Sequence, residues 1–448
     1  MNKNELKILK EIKPSKEEEA RVNNFTKKLL EIASKIAKPF YANPMLVGSI
    51  SKGTWLKGDH DVDLFIVFRK KIERKELEEL GLKIGVEICE RLNGTYNIKY
   101  AEHPYVRCEA EGFNIDIVPC YKIKEGEKII SAVDRSPLHK KFVEENLKDF
   151  QKDEVRLLKY FCKQIGVYGA DAKNNGFSGY LCELLIINYG TFRNTLSELS
   201  KANFGEVIDF FGTDKKEIRK KFRDPLIVLD PVDKNRNVAS PLSAQNFLRF
   251  KLESEKYLKT NKFPKRQKIF VKGLIEKLKK ERGSNFVGVK FKPPDIIPEN
   301  LYPQLRKFER RLANYLEDND FSVIRHFSWT NEKNKAFLIF EIEHLRLPKY
   351  KKKEGPIIFS REVDNFLRKY LPARYKPYIE NNKFYVCYER KVRDIEVAIK
   401  NFLRNNKREI PEKIREQKIR FFLESEIIKE VDSNEDLNDY LARKYFEI

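Results

Sequence analysis

Along the first 150 residues the apolar positions change period several times. They recur at helical spacing over 24–38, form a short strand at Met45-Leu46-Val47, and run almost unbroken over 62–68, the length of a buried strand. Helical spacing returns over 75–92, and 97–100, 105–110 and 113–119 read as three further strands. The pattern predicts a mixed sheet with helices packed on it. Residues 150–280 are mainly of helical texture, interrupted by one strand at 225–229. A Val-Gly-Val-Lys-Phe strand follows at 287–291, then a helix over 302–317. Two long strands come next, 322–330 and 336–345, joined by the polar turn 331–335. The lysine-rich run 349–353, closed by Gly355-Pro356, reads as a linker or exposed loop. Helices and one hairpin around Asn381-Asn382 make up the remainder.

At 448 residues the chain is long enough for two to four domains. Hydrophobic residues make up 41% and aromatics 12%, which supplies real cores and argues against wholesale disorder. Charge changes the picture more. Lys and Arg number 90 against 68 Asp and Glu, a net charge of +22, and such a surplus points to a polyanionic partner such as nucleic acid. The 6 cysteines are scattered and form no Cys-x-x-Cys pair, which argues against a zinc module. No signal peptide and no apolar run near membrane-spanning length is visible, so the expectation is a soluble protein of a reducing compartment, the cytoplasm, with no membrane partner.

Candidate chemistry concentrates between residues 46 and 68. Asp61 and Asp63 stand two apart at the start of an apolar strand, so their side chains share one face while Val62 takes the other. Two aligned carboxylates are costly to keep charged unless a cation lies between them, and magnesium, which takes hard oxygen ligands, fits. Asp116, inside the apolar strand 113–119, would complete a three-carboxylate site for an in-line phosphoryl displacement. Asp-x-Asp alone also marks ordinary turns. The order in which it occurs is rarer: a strand ends at Val47, Gly48 permits a tight turn, Ser49 offers a hydroxyl, Lys52 adds charge, and the carboxylates follow.

These residues resemble the nucleotidyltransferase superfamily of DNA polymerase beta and poly(A) polymerase. Several stretches resemble more narrowly the archaeal-type (class I) CCA-adding enzymes, which rebuild the CCA tail of tRNA. They are Gly48-Ser49 through Gly58, Ala101 through Val106, Ile117 through Lys122, Ser131 through Pro137, Glu154 through Lys159 and Gly176 through Leu185. Asp230-Pro-Val-Asp233 with Arg236-Asn-Val238, Lys292 through Asp295 and Asn300 through Leu305 belong with them. The similarity is dense to about residue 305 and thin beyond it.

The resemblance implies an α+β multidomain protein. Its parts would be a polymerase-beta-like head with a mixed sheet (1–150), a mainly helical neck (151–280), an α/β body (281–310 and 383–448) and a tail (311–382). Asp61, Asp63 and Asp116 match the catalytic, metal-binding carboxylates, with Mg2+ as cofactor. Gly48, Ser49, Lys52, His139, Lys159, Tyr168 and Arg236 fall at nucleotide-binding positions: Ser49, Lys159 and Tyr168 for the triphosphate and Arg236 for the base edge. His103 is a further active-site candidate. Relatives carry Arg where this chain has Lys52, and a lysine cannot form a bidentate arginine contact, so its role stays open. The implied partners are CTP, ATP and the acceptor stem and elbow of tRNA, and a homodimer is compatible with the sequence. Two rival readings share some of these features: a poly(A) polymerase-like RNA 3′-nucleotidyltransferase and a non-catalytic RNA-binding protein.

From the residues alone, Lys159 on an amphipathic helix is by default a solvated lysine, and Arg236, after the Asp230-Pro231 turn, could pair with Asp233.

Overall fold

The computed structural model describes residues 1–69, 72–100, 102–124 and 126–447, so Ala101, the first residue of one stretch behind the resemblance, lies outside the described residues. The chain divides into two compact units, Met1–Gln267 and Lys268–Ile448.

The first unit opens with α1 (Lys3–Ile12) and α2 (Lys16–Ala37). Ser15 caps α2 by accepting from the Glu18 amide, and Glu17, Glu18 and Glu19 place negative charge on the first turn, where the helix dipole favours it. There follow β1 (Ala42–Val47), α3 (Gly48–Lys52), β2 (Asp61–Phe68), α4 (Arg74–Arg91), β3 (Thr95–Tyr100), β4 (Pro104–Ala110) and β5 (Phe113–Tyr121). The five strands form one mixed sheet in the order β1-β2-β5-β4-β3, in which β2 and β5 are parallel and the other pairs antiparallel. Every residue of β2 from Leu64 onward is buried, which explains why its sequence reads as an apolar run and not as an alternation. Leu64, Ile66, Ile115 and Ile117 of the sheet meet Ile84 and Ile88 of α4 in the core. The helix lies so close to the sheet that a Cβ on Gly81 would come within 2.5 Å of the Pro119 ring.

Cys89 of α4 and Cys108 of β4 are joined by a disulfide across this helix–sheet contact. The two cysteines stand 19 residues apart in sequence, and only the packing of α4 on β4 brings them together. Intracellular proteins of hyperthermophiles carry such bonds too, so the disulfide does not by itself assign a compartment.

The remainder of the first unit is largely helical. It contains α5 (Arg135–Asn146), α6 (Asp149–Gln164), α7 (Gly179–Tyr189) and further helices at Phe192–Lys201, Lys215–Lys221 and Ala244–Thr260. Leu157, Phe161, Leu184, Phe192, Phe250 and Tyr257 fill its core. In place of the single expected strand there are three, β6 (Glu206–Ile208), β7 (Leu226–Asp230) and β8 (Asp233–Asn237). The first is three residues long and the last, Asp-Lys-Asn-Arg-Asn, is entirely polar, so neither leaves an apolar signature.

The second unit has a four-stranded sheet and a three-stranded one. Its strands are β9 (Asn285–Phe291), β10 (Val323–Thr330), β11 (Ala336–Ile342), β12 (Tyr350–Ile357), β13 (Tyr378–Glu380), β14 (Lys383–Glu389) and β15 (Arg420–Phe422), in the orders β10-β11-β9-β15 and β12-β14-β13. The lysine run read as a linker is strand β12, paired antiparallel with β14. An edge strand tolerates and even favours lysines, which the loop reading overlooked. Here Lys352 lies 3.9 Å from the centroid of the Tyr385 ring. The hairpin at Asn381-Asn382 forms as expected, with φ of 49° and 60°, the left-handed conformation a two-residue hairpin turn requires. Among the described residues no helix is long and apolar enough to cross a membrane.

Candidate active site

The carboxylate positions follow from strand register. In the parallel pair, Asp63 of β2 stands opposite Asp116 of β5, and across the antiparallel neighbours Val47 stands opposite Asp63 and Arg107 opposite Asp116. Val62 points into the core, 1% exposed, so its neighbours Asp61 and Asp63 lie on the other face. At the end of β1 the chain turns through Gly48, with φ +71°, directly against this pair: a Cβ there would sit 1.8 Å from Asp63 Oδ2. Only glycine fits that approach, and it brings Ser49 and the short helix α3 up to the carboxylates.

Burial, and after it the neighbouring Asp116 charge, pushes the Asp63 carboxyl up to about 6, against the opposing pull of Lys52. Burial likewise raises Asp116, with Arg107 acting the other way. Asp116 Oδ1 is buried and has no hydrogen-bond partner; Arg107 Nη1, at 3.6 Å, is within ion-pair range but too distant to donate. Asp61 is held separately, accepting from Asn114 Nδ2 at 3.0 Å with Arg107 Nη2 at 3.5 Å. Among the described residues no three His, Cys, Asp or Glu side chains are gathered closely enough to hold an ion as they stand. What is present is a carboxylate pair with an unsatisfied buried oxygen and a third carboxylate nearby. Both the like-charge strain and the orphaned oxygen are relieved by a hard divalent cation, so this all-oxygen donor set fits magnesium.

A second cluster joins Lys52 and Thr54 to α6 and α7. Glu183 of α7, wholly buried, accepts from Thr54 Oγ1 at 2.6 Å and ion-pairs with Lys52 and, at 3.5 Å, with Lys159 of α6. Lys159 Nζ also donates to the Thr54 hydroxyl at 3.1 Å and to its carbonyl at 3.2 Å. The default of a solvated Lys159 is corrected: it is 2% exposed, and burial lowers its ammonium pKa against the pull of Glu183. Burial by itself would raise Glu183, but the two lysines and the Thr54 hydroxyl overcome it and keep the carboxylate charged. Tyr168 closes the group. A Cβ on Gly179, the first residue of α7, would be 3.2 Å from the Tyr168 hydroxyl and 3.4 Å from Lys159 Cε, so both side chains border that glycine.

A third cluster gathers around Asp230 at the end of β7, which is fully buried. Its Oδ2 pairs with His139 Nε2 at 2.9 Å and with Arg236 Nη1 at 2.8 Å, and its Oδ1 accepts from the Tyr180 hydroxyl at 3.4 Å. His139 stacks on Tyr180 with ring centroids 4.0 Å apart. Lys52 Nζ lies 5.5 Å from the centroid of the same Tyr180 ring, which links this cluster to the second one. Of the partners open to it, Arg236 takes Asp230 and not Asp233, which pairs with Arg135 at 3.2 Å. Burial pushes the His139 imidazole below its usual 6.5 although Asp230 pulls the other way.

The structure therefore groups Gly48, Asp61, Asp63 and Asp116, then Lys52, Lys159 and Tyr168, then His139 and Arg236. His103 stands apart. It is buried, its Nδ1 is 3.1 Å from Glu78 of α4, and its Nε2 has no hydrogen-bond partner. Sequence reading passed over Glu183 and Asp230. The first was signalled by a lone acid within Leu181-Cys-Glu-Leu-Leu-Ile-Ile187, where an unpaired charge could not survive burial. The second sits at the end of the apolar run Leu226-Ile-Val-Leu229.

Known proteins are similar to this chain along most of its length. A nucleotidyltransferase domain model matches residues 26–139, the second domain of tRNA nucleotidyltransferases matches 153–266, and the C-terminal domain of CCA-adding enzymes matches 282–421. The CCA-adding enzyme of Methanocaldococcus jannaschii is 43% identical over 411 residues, covering 89% of this chain and 90% of the relative. Those of Methanothermobacter thermautotrophicus and Archaeoglobus fulgidus are each 38% identical, covering 81% and 80% of this chain and the same shares of the relatives.

Proposed function

The chain belongs to the CCA-adding enzyme family, adding C, C and A to the 3′ end of tRNA without a nucleic-acid template, and on that premise we propose how its residues divide the work. Asp63 and Asp116, with Asp61, would hold magnesium. The observation that carries this is the facing pair Asp63–Asp116, with the unsatisfied Asp116 oxygen and the glycine turn closed against Asp63. When bound there, magnesium would supply positive charge to offset that of the phosphate oxygens during the displacement. In that displacement the tRNA 3′ hydroxyl releases its proton to solvent as its oxygen bonds to the α-phosphorus of CTP or ATP, and the bond to the oxygen bridging to the β-phosphate breaks, so that pyrophosphate leaves.

The remaining residues bind and orient. Ser49, Lys52, Lys159 and Tyr168 receive the triphosphate, a reading supported by the shared ion pair of the two lysines with Glu183 and by Lys159 and Tyr168 bordering Gly179. Arg236, with His139 beside it, meets the base edge. Its guanidinium is fixed through one nitrogen by Asp230 while the side chain stays 30% exposed, which leaves donors free for a base. Residues 1–150 act as the catalytic head and 151–280 as the neck. The body (281–310 and 383–448) and the tail (311–382) bind the acceptor stem and elbow, mostly through shape and phosphates. Lys351, Lys352 and Lys353 on β12, the Lys352–Tyr385 contact and Phe359, 84% exposed, support an RNA-facing tail. We place the reaction in the cytoplasm, where its tRNA substrate is.

The test is to incubate the protein with tRNA lacking its CCA end and with each nucleoside triphosphate singly, then in pairs, with magnesium or with a chelator. CTP alone should add two residues, and ATP should add one only after them. A long A tail, or equal use of UTP and GTP, would reject the reading.

A further inference from the structure

We infer that Glu183 is a positioning residue of the triphosphate site: without touching substrate, it holds Lys52 and Lys159 side by side, ready for a polyphosphate. This rests on the reading that the two lysines meet the triphosphate. The geometry is that of a clamp. Lys52 and Thr54 come from the segment that matches the nucleotidyltransferase domain, and Lys159 and Glu183 from the segment that matches the second domain. One carboxylate spans them, with Oε2 on Lys52 and Oε1 on both the Thr54 hydroxyl at 2.6 Å and Lys159 at 3.5 Å. Thr54 acts as the splint, since its hydroxyl donates to Glu183 and accepts from Lys159 at 3.1 Å.

Charge counting says what such a clamp is for. Two ammonium groups share one carboxylate in a pocket where Lys159 and Glu183 are 2% and 0% exposed. A buried excess of positive charge is costly unless an anion completes it. Asp63 feels Lys52 and offsets part of the excess, but that carboxylate faces Asp116 and belongs to the metal side. Gly179, one turn before Glu183 on the same helix, lets Lys159 and the Tyr168 hydroxyl pack directly against the backbone, since a Cβ there would stand 3.2 Å from the hydroxyl and 3.4 Å from Lys159 Cε. Without Glu183 the two like charges would repel, and the site would have to be organised anew by each incoming nucleotide.

Glu183→Gln tests this, because the amide keeps an acceptor for Thr54 but loses the charge. The readouts are binding of CTP, binding of inorganic tripolyphosphate, binding of tRNA without nucleotide, and melting temperature. CTP and tripolyphosphate should bind at least ~10-fold more weakly, with tRNA affinity unchanged and the KM for CTP rising more than kcat falls. Glu183→Asp should restore part of the loss. A folded Glu183→Gln protein that binds CTP within about twofold of the native one overturns the inference. Should that variant not fold, Thr54→Val removes the splint alone, and unchanged CTP affinity there overturns it equally. Lys159→Met separates the two levels. If it leaves CTP affinity intact, the triphosphate reading itself fails; if it weakens CTP while Glu183→Gln does not, only the positioning role fails.

Discussion

Gly48 and Asp63 are in such close contact that a single methyl group between them would stand 1.8 Å from a carboxylate oxygen. The glycine is needed twice over. Its φ of +71° costs any L-residue about 1–2 kcal/mol, and the added carbon has no room unless Asp63 moves. Displacement of a catalytic group by about 1 Å can cost on the order of 100-fold in rate. Gly48→Ala should therefore lower CTP addition by ~100-fold or more while tRNA binding stays near native. Near-native turnover would show that the turn is not part of the active site.

The facing carboxylates make a paired prediction. Asp63→Asn and Asp116→Asn should each abolish nucleotide addition with magnesium and leave tRNA binding nearly intact, since an amide keeps the shape and removes the ligand charge. In chelator at neutral pH, the same Asp63→Asn change should raise the melting temperature, because a carboxylate pushed up to about 6 by burial and by Asp116 is a burden to the metal-free fold. A structural role would give the opposite sign: lost stability together with retained activity.

Local chemistry explains which parts of this arrangement could be read from sequence. Asp61, Val62 and Asp63 declare their faces by the two-residue period of a strand, and the apolar 62–68 run places them in a central strand. Gly48-Ser49 and the carboxylates are close in sequence, so their order carried the reading. Asp230 and Glu183 act through partners 91 and 131 residues away, His139 and Lys52, and no local pattern records such pairings. The same holds for β8, a polar strand that exists because Leu229 and Asp230 pair with it. The lysine run at β12 misled for the converse reason: its composition is that of a loop, while its hydrogen bonds are supplied by β14.

His139 gives a pH test. Its folded pKa lies below 6.5 because burial opposes the charged form, so the unfolded chain takes up a proton first on acidification. The neutral imidazole's contribution to stability is thus fully present above about pH 6.5 and is lost as pH falls through the lower, folded value. His139→Gln removes that titration. The fall in melting temperature between about pH 7.5 and 5.5 should be smaller in the variant than in the native protein. An equal acid-side fall in both would place the imidazole in water, contrary to its stacked position on Tyr180.

Arg236 carries the question of base choice. Its Nη1 is committed to Asp230 at 2.8 Å, and that carboxylate is fixed in turn by His139 and the Val232 amide, so the guanidinium plane is anchored from behind. The free nitrogens can then donate to acceptors at a defined place. Cytosine presents O2 and N3 and adenine presents N1, whereas uracil N3 and guanine N1 bear hydrogens that oppose a donor. A site built on buried donors rejects the wrong base by leaving those donors unpaired. Arg236→Ala should cost roughly 1–3 kcal/mol of discrimination for CTP and ATP over UTP and GTP, by analogy with bidentate base contacts in DNA grooves. The competing account makes Arg236 a structural partner of Asp230, whose loss loosens β7 and β8. In that case all four nucleotides lose incorporation efficiency by one common factor. Asp230→Asn separates the accounts further, because it frees the guanidinium without removing it. If Arg236 reads the base, this variant should retain some preference for CTP and ATP, and Arg236→Ala should not. A uniform drop in Arg236→Ala with unchanged selectivity would leave base choice to other groups.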